Sequence, residues 1–96
     1  MANGLQAGDA RPVGDGVTDN RHAGHYALAV EGATAVAEYR IEDGRIVFTH
    51  TRVPPTLEGR GVGRRLVLAA LADADAAGLE VVADCWFVAK VLAARG

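Results

Sequence analysis

The pair Asp43-Gly44 constrains the fold more than any other local feature of this 96-residue chain. Both residues tolerate positive φ, as a two-residue hairpin turn requires, and alternating apolar residues flank them on either side. With these two as the turn, Glu42 faces Arg45, Ile41 faces Ile46, Arg40 faces Val47, Tyr39 faces Phe48, Glu38 faces Thr49 and Ala37 faces His50. The apolar pairs Ile41/Ile46 and Tyr39/Phe48 then share one face. The same register predicts His50 and Arg52 on that face and Glu38 on the other.

The rest of the chain arranges itself around this hairpin. Tyr26, Leu28 and Val30 alternate with smaller or polar residues from about His25 to the turn Glu31-Gly32, which suits a first strand. A second runs from about Thr34 to Ile41, and the third ends near Val53. Pro54-Pro55 cannot extend a ladder, so the chain leaves the sheet there. Val62, Leu66, Ala70, Ala74 and Ala77, widened by Val67 and Leu71, then form a helical stripe with Arg64, Arg65 and Asp75 pointing away and Leu68 on the outer side. Gly78 suits the helix C-terminus, and Leu79 to Ala83 read as a short strand, completing a βαβ crossover. Asp84 is expected to cap a last helix from about Cys85 to Arg95, apolar on nearly every side. The predicted architecture is a mixed α/β (α+β) sheet of three antiparallel strands, then helix, parallel strand, helix. Residues 1–23 carry Gly, Asp and Asn with almost no periodicity and read as a flexible tail, leaving residues 24–96 as the domain.

Ten basic and twelve acidic residues leave a formal charge of −2, which gives no general attraction to nucleic acid or to an anionic membrane. The single cysteine, Cys85, has no internal disulfide partner, and no apolar run near the N-terminus suits a signal peptide or a membrane span. A reducing cytoplasm is the expected setting. One Trp, two Tyr and two Phe leave Ala, Val and Leu to fill a small core, which dimerisation would supplement.

Between Pro55 and the helix lies Glu58-Gly59-Arg60-Gly61-Val62-Gly63. Three alternating glycines let a ligand approach the main chain without meeting a Cβ, and the first N–H groups of the helix have no intrahelical acceptor. An anion satisfies them, assisted by the helix dipole and by the charges of Arg60, Arg64 and Arg65. The plainer alternative is a loop that turns tightly into a helix and binds nothing. A dinucleotide fingerprint fails, because its third glycine would fall where Arg64 stands and its first would follow a strand directly. A nucleoside triphosphate loop fails too, since the only lysine is Lys90.

The loop resembles that of the Gcn5-related N-acetyltransferase superfamily, which reads Gln/Arg-x-x-Gly-x-Gly/Ala; Glu58-x-x-Gly61-x-Gly63 matches it apart from the first position. His50-Thr51-Arg52-Val53-Pro54-Pro55, Leu57 to Gly63 and Cys85-Trp86-Phe87-Val88 together are similar to the small single-domain, NATD-type subfamily, which tolerates Glu at that first position. The resemblance covers roughly residues 24 to 93. Similar sequences continue past the last helix with a short tail, where this one stops at Gly96.

By this resemblance, acetyl-coenzyme A is the co-substrate and an amine, small or on a protein, is the acceptor. The coenzyme would contact Arg52, Val53, Glu58, Gly59, Arg60, Gly61, Val62, Gly63 and Arg64, with its pyrophosphate on the backbone of 60–64 and its pantetheine arm beside the third strand. Transfer needs a neutral amine, a donor for the thioester oxygen and a proton for the departing thiolate. The tyrosine that many members use as the acid has no counterpart, since Tyr26 and Tyr39 both precede the loop. Cys85, at a helix N-terminus, is the candidate for that role, and the competing reading is a small core residue beside Trp86 and Phe87. His50 is the candidate general base, a role that imidazole suits, and the competing reading is a structural strand residue. Trp86 is expected to pack. A coenzyme A-binding module with weak catalysis is the alternative to an enzyme.

Overall fold

Six strands and two helices follow one another along residues 10–95, the part of the chain that the computed structural model describes. They are β1 (Ala10–Gly14), β2 (Val17–Asn20), β3 (His25–Val30), β4 (Ala33–Glu42), β5 (Arg45–Arg52), α1 (Val62–Ala76), β6 (Glu80–Ala83) and α2 (Trp86–Arg95), with a 3-10 turn at Pro55–Leu57 before α1. The strands lie in the sheet in chain order, antiparallel from β1 to β5, and β6 then joins β5 in parallel.

The hairpin at Asp43-Gly44 forms with φ of 52° and 75°, and the pairs Glu42/Arg45, Ile41/Ile46, Arg40/Val47 and Tyr39/Phe48 stand as expected. Beyond Phe48 the register moves. Glu38 pairs with His50 and Ala37 with Thr51, leaving Thr49 as the extra residue of a β-bulge. A one-residue slip exchanges faces. His50 and Arg52 therefore lie with Glu38, not with Tyr39 and Phe48, and Arg52 pairs with the Glu38 carboxylate at 3.2 Å. Thr51 takes the inward position instead.

The flexible tail is also corrected. Its first nine residues lie outside the described residues, but from Ala10 the chain forms β1 and β2, so five strands rather than three precede α1. Gly14, Asp15 and Gly16 all have positive φ, which allows the tight return. The inward positions of β2 are Val17 and Asp19, each 1% exposed. A buried carboxylate needs partners. Asp19 accepts from the Tyr39 hydroxyl, from Arg11 at 3.0 Å and from Arg21 at 3.5 Å. Arg11 continues to Asp73 on α1 at 2.8 Å, where the Tyr26 hydroxyl also donates at 2.8 Å. This network clamps the N-terminal hairpin to β3, β4 and α1.

Helix α1 lies over the inward face of the sheet. Leu66, Val67, Ala70, Leu71 and Ala74 meet Leu28, Ala35, Ile46 and Phe48 in one buried cluster, to which α2 adds Val88 and Val91. Leu68, expected on the outer side, packs against that cluster in part. At the C-terminus of α1, Gly78 has φ 75° and donates to Asp75 O, while Leu79 donates to Ala74 O, so the last carbonyls are satisfied and the chain turns into β6. Helix α2 starts one residue later than expected. Ala89 N–H donates to Cys85 O, which puts Cys85 rather than Asp84 in the capping position.

Candidate active site

Strands β5 and β6 are paired from Arg45/Glu80 to Phe48/Ala83 and then separate. The N–H groups of Asp84 and Cys85 both donate to Phe48 O, each at 3.0 Å, and this shared acceptor turns the chain out of the sheet into α2. The wedge that opens holds about 670 Å³, between Thr49 to Val53 on one side and Asp84 to Phe87 on the other. It brings Cys85, His50, Arg52 and Val53 together, as the sequence predicts, and Glu58 closes one end. Thr51 and Phe87 were not anticipated there. The bulge brings Thr51 inward, and no apolar residue of β5 after Phe48 betrays that shift in the sequence.

Beyond Glu58 a second space adjoins the first. A second hollow of about 260 Å³ runs under Leu57 to Arg64 and shares Val53, Glu58 and Phe87 with the wedge. Gly59 and Gly61 have φ of 77° and 74°, and a Cβ on either would meet nothing within 4 Å. These two glycines supply a left-handed backbone bordering open space. Gly63 acts differently. Its φ is ordinary, and a Cβ there would lie 3.1 Å from both Phe87 and Val53. A side chain at Gly63 would therefore require the Phe87 ring or the Val53 methyl to give way by a few tenths of an ångström.

Gly61 caps α1 without a side-chain hydrogen bond, and the first intrahelical bond of the turn is Arg65 N–H to Gly61 O. The N–H groups of Val62, Gly63 and Arg64 thus keep their donor capacity at the positive end of the helix dipole. The arginines are not equivalent. Arg60 grips Glu31 with both guanidinium nitrogens, at 3.1 and 3.0 Å, and Arg65 donates to Asp15 O at 3.3 and 3.1 Å. Only Arg64, among these three and the described residues, keeps an unengaged guanidinium facing the hollow. The expectation that all three charges serve the loop is thereby narrowed to one.

Cys85 is half-buried, its Sγ 3.4 Å from the Thr51 hydroxyl. Burial opposes ionisation of its thiol, but hydrogen bonds from the Thr51 hydroxyl and from the N–H groups of Val88, Phe87 and Thr51 outweigh it, and the thiol lies below its ordinary range. Thr51→Val removes the strongest of these donors. It is expected to slow iodoacetamide alkylation of Cys85 several-fold at neutral pH, with Thr51→Ser restoring the rate; equal rates in all three proteins would show that the hydroxyl does not act on the thiol. His50 is exposed on the strand, opposite Glu38. Trp86, expected to pack, is 74% exposed on the first turn of α2, where it borders the wedge with the Lys90 ammonium 5.3 Å from its ring.

A family model described as GCN5-related N-acetyl-transferase matches residues 25–95. The chain belongs to this family. The match begins at β3 and ends with α2, so it spans the wedge, the glycine loop and both helices, and the β1–β2 hairpin lies before it. No curated protein matches the chain. Membership of the GCN5-related N-acetyl-transferases points to acetyl transfer as the general activity. It accords with the mixed α/β sheet and its two helices. Among the described residues, no group of His, Cys, Asp and Glu is placed to hold a metal ion, and no helix is long and apolar enough to cross a membrane.

Proposed function

We propose that the chain is an acetyl-coenzyme A-dependent N-acetyltransferase of the small NATD-type subfamily, acting on an amine of a small molecule or a protein in a reducing cytoplasm. One observation carries this reading: the hollow under the glycine loop and the wedge between β5 and β6 adjoin and share Val53, Glu58 and Phe87 as walls, with free helix N–H groups on the one side and Cys85, Thr51 and His50 on the other. The pyrophosphate would rest on the N–H groups of Val62, Gly63 and Arg64, with Gly59 to Gly61 passing close beneath it. The pantetheine arm would follow Val53 and Arg52 into the wedge.

At the acetyl end, His50 would take the proton from the attacking amine, and its cross-strand neighbour Glu38 would support the resulting imidazolium. Cys85 would return a proton to the coenzyme A thiolate. The lowered thiol range favours a second route, in which the Cys85 thiolate attacks the thioester, coenzyme A leaves as the thiolate and takes up a proton, and the amine then displaces the cysteine to give the amide. An acetyl adduct on the protein, absent in Cys85→Ser, separates this route from direct transfer. Self-association through the side of α2 that exposes Trp86 belongs to the same reading and is measured by sedimentation velocity.

The test is calorimetric titration with acetyl-coenzyme A, followed by mass spectrometry of an amine panel that includes polyamines and lysine peptides. Binding and an acetylated product are expected. Absence of binding would overturn the reading, and binding without any product would leave a coenzyme A-binding module.

A further inference from the structure

Strands β1 to β5 alternate in direction, so the β1–β2 turn at Gly14 to Gly16 and the β3–β4 turn at Glu31-Gly32 close at the end of the sheet where β5 leaves toward α1. Each turn reaches the segment that enters the helix. Glu31 holds Arg60, ahead of the helix, through both guanidinium nitrogens at 3.1 and 3.0 Å, and Asp15 O accepts from Arg65, on the first turn of α1, at 3.3 and 3.1 Å. The N–H groups of Val62, Gly63 and Arg64 lie between these two anchors.

Glu31 is the wrong residue for its turn. Three non-glycine residues among those described have positive φ, and two of them, Asp15 and Asp43, are of the short polar type that this conformation admits. Glu31, at φ 51°, is not. Its ion pair does not offset that strain in the fold, because the Arg60 and Glu31 side chains are 44% and 71% exposed and pairs in water contribute little to folding. A strained residue kept without a gain in stability points to a function. The longer side chain of Glu31 is spent on one contact, that with Arg60.

We propose that Glu31 is a positioning residue for the acetyl donor: by holding Arg60, with the Asp15 anchor on Arg65 beyond it, Glu31 fixes the glycine loop and its N–H groups before the anion arrives. This rests on the coenzyme A reading above. Gly59 and Gly61, at φ of 77° and 74° beside open space, leave the segment free to move, and the two anchors restrain it. A cradle fixed in advance removes the cost of ordering the backbone on binding. Arg60 then acts as a tether, its guanidinium committed to Glu31, and not as a ligand of phosphate.

The experiment titrates acetyl-coenzyme A by calorimetry into the natural protein, Glu31→Asn, Arg60→Gln and the double variant, with a thermal melt of each. Asparagine accepts the left-handed turn but lacks the charge, so Glu31→Asn should melt at or above the natural temperature and yet bind about fivefold more weakly. A merely structural role would give the opposite pairing, with stability lost and affinity kept. Arg60→Gln should weaken binding by a similar factor, and the double variant by no more than either single change. In about 1 M sodium chloride, where the ion pair is screened, the natural protein and Glu31→Asn should converge. Unchanged affinity in Glu31→Asn would overturn the proposal. So would tighter binding, which would mean that the carboxylate repels the ligand or keeps Arg60 from it, and so would losses that add in the double variant. Each of these leaves the coenzyme A reading intact, whereas no binding by the natural protein would overturn both.

Discussion

Replacing Asp19 by alanine is expected to lower the unfolding free energy by about 2–4 kcal/mol, the largest effect of any single change outside the apolar core. The carboxylate is 1% exposed and accepts from Tyr39, Arg11 and Arg21. Without it the Tyr39 hydroxyl is left buried and unpaired, which costs about 1–3 kcal/mol, and the charge-assisted bonds are lost in addition. The cost stays at the lower end of that for a broken buried ion pair because the Arg11 and Arg21 side chains are 51% and 56% exposed, and water takes over their solvation. For a domain of this size the melting temperature should fall on the order of 10–20 °C. A fall below about 2 °C would mean that the β1–β2 hairpin lies outside the cooperative unit.

The same network sets an alkaline limit. Burial, then hydrogen bonding to Asp73 and Asp19 respectively, raises the pKa of Tyr26 and of Tyr39 well above the usual tyrosine range. Groups whose folded pKa is raised contribute stability that is complete below the unfolded value of about 10 and is lost as pH climbs toward the folded values. Urea midpoints should therefore decline above about pH 10, and less steeply in Tyr26→Phe.

Gly63→Val is expected to remove coenzyme binding and to destabilise the fold by about 2 kcal/mol. The valine does not fail on backbone conformation, since φ at this position is ordinary. It fails on space, because its Cβ would already stand 3.1 Å from Phe87 and from Val53, and the valine fits only if those two side chains give way. Displacing those two walls narrows the wedge and the loop hollow together. Acetyl-coenzyme A affinity should drop more than about a hundredfold, as read by calorimetry. Shrinking the ring in Gly63→Val/Phe87→Leu should return part of the stability. Natural affinity in Gly63→Val would show that the coenzyme does not pass between these residues.

Which parts of this arrangement the sequence discloses depends on whether a local rule governs them. Asp43-Gly44 admits one turn geometry, so the pairing near it follows. The spacing of Val62, Leu66 and Ala70 admits one helix face, and Gly78 ends that helix by its own φ. The bulge at Thr49 escapes because the residues after Phe48 are Thr, His, Thr and Arg, which carry no apolar alternation to show a change of parity. Strand β2 escapes because one of its two buried side chains is a carboxylate, and a polar inward residue erases the pattern by which half-buried strands are recognised. At the site, Gly59, Gly61 and Gly63 read alike as positions of close approach, and only the first two border open space, while the capture of Arg60 by Glu31 depends on where another hairpin ends. Trp86 misleads because bulk alone predicts burial, and its place on the outer side of α2 is a property of the packed molecule.

The sequential order of the strands has a kinetic side. From β1 to β5 each strand meets its predecessor across a short turn, so every one of those pairings closes a small loop. The β5–β6 pairing is different, because the glycine loop and the whole of α1 must be spanned before it forms. Loop closure grows costlier with length, and distant contacts slow folding. The seam that is entropically hardest to close is thus the one that parts beyond Phe48 to make the wedge, and a ligand bridging it holds together the least local junction of the chain.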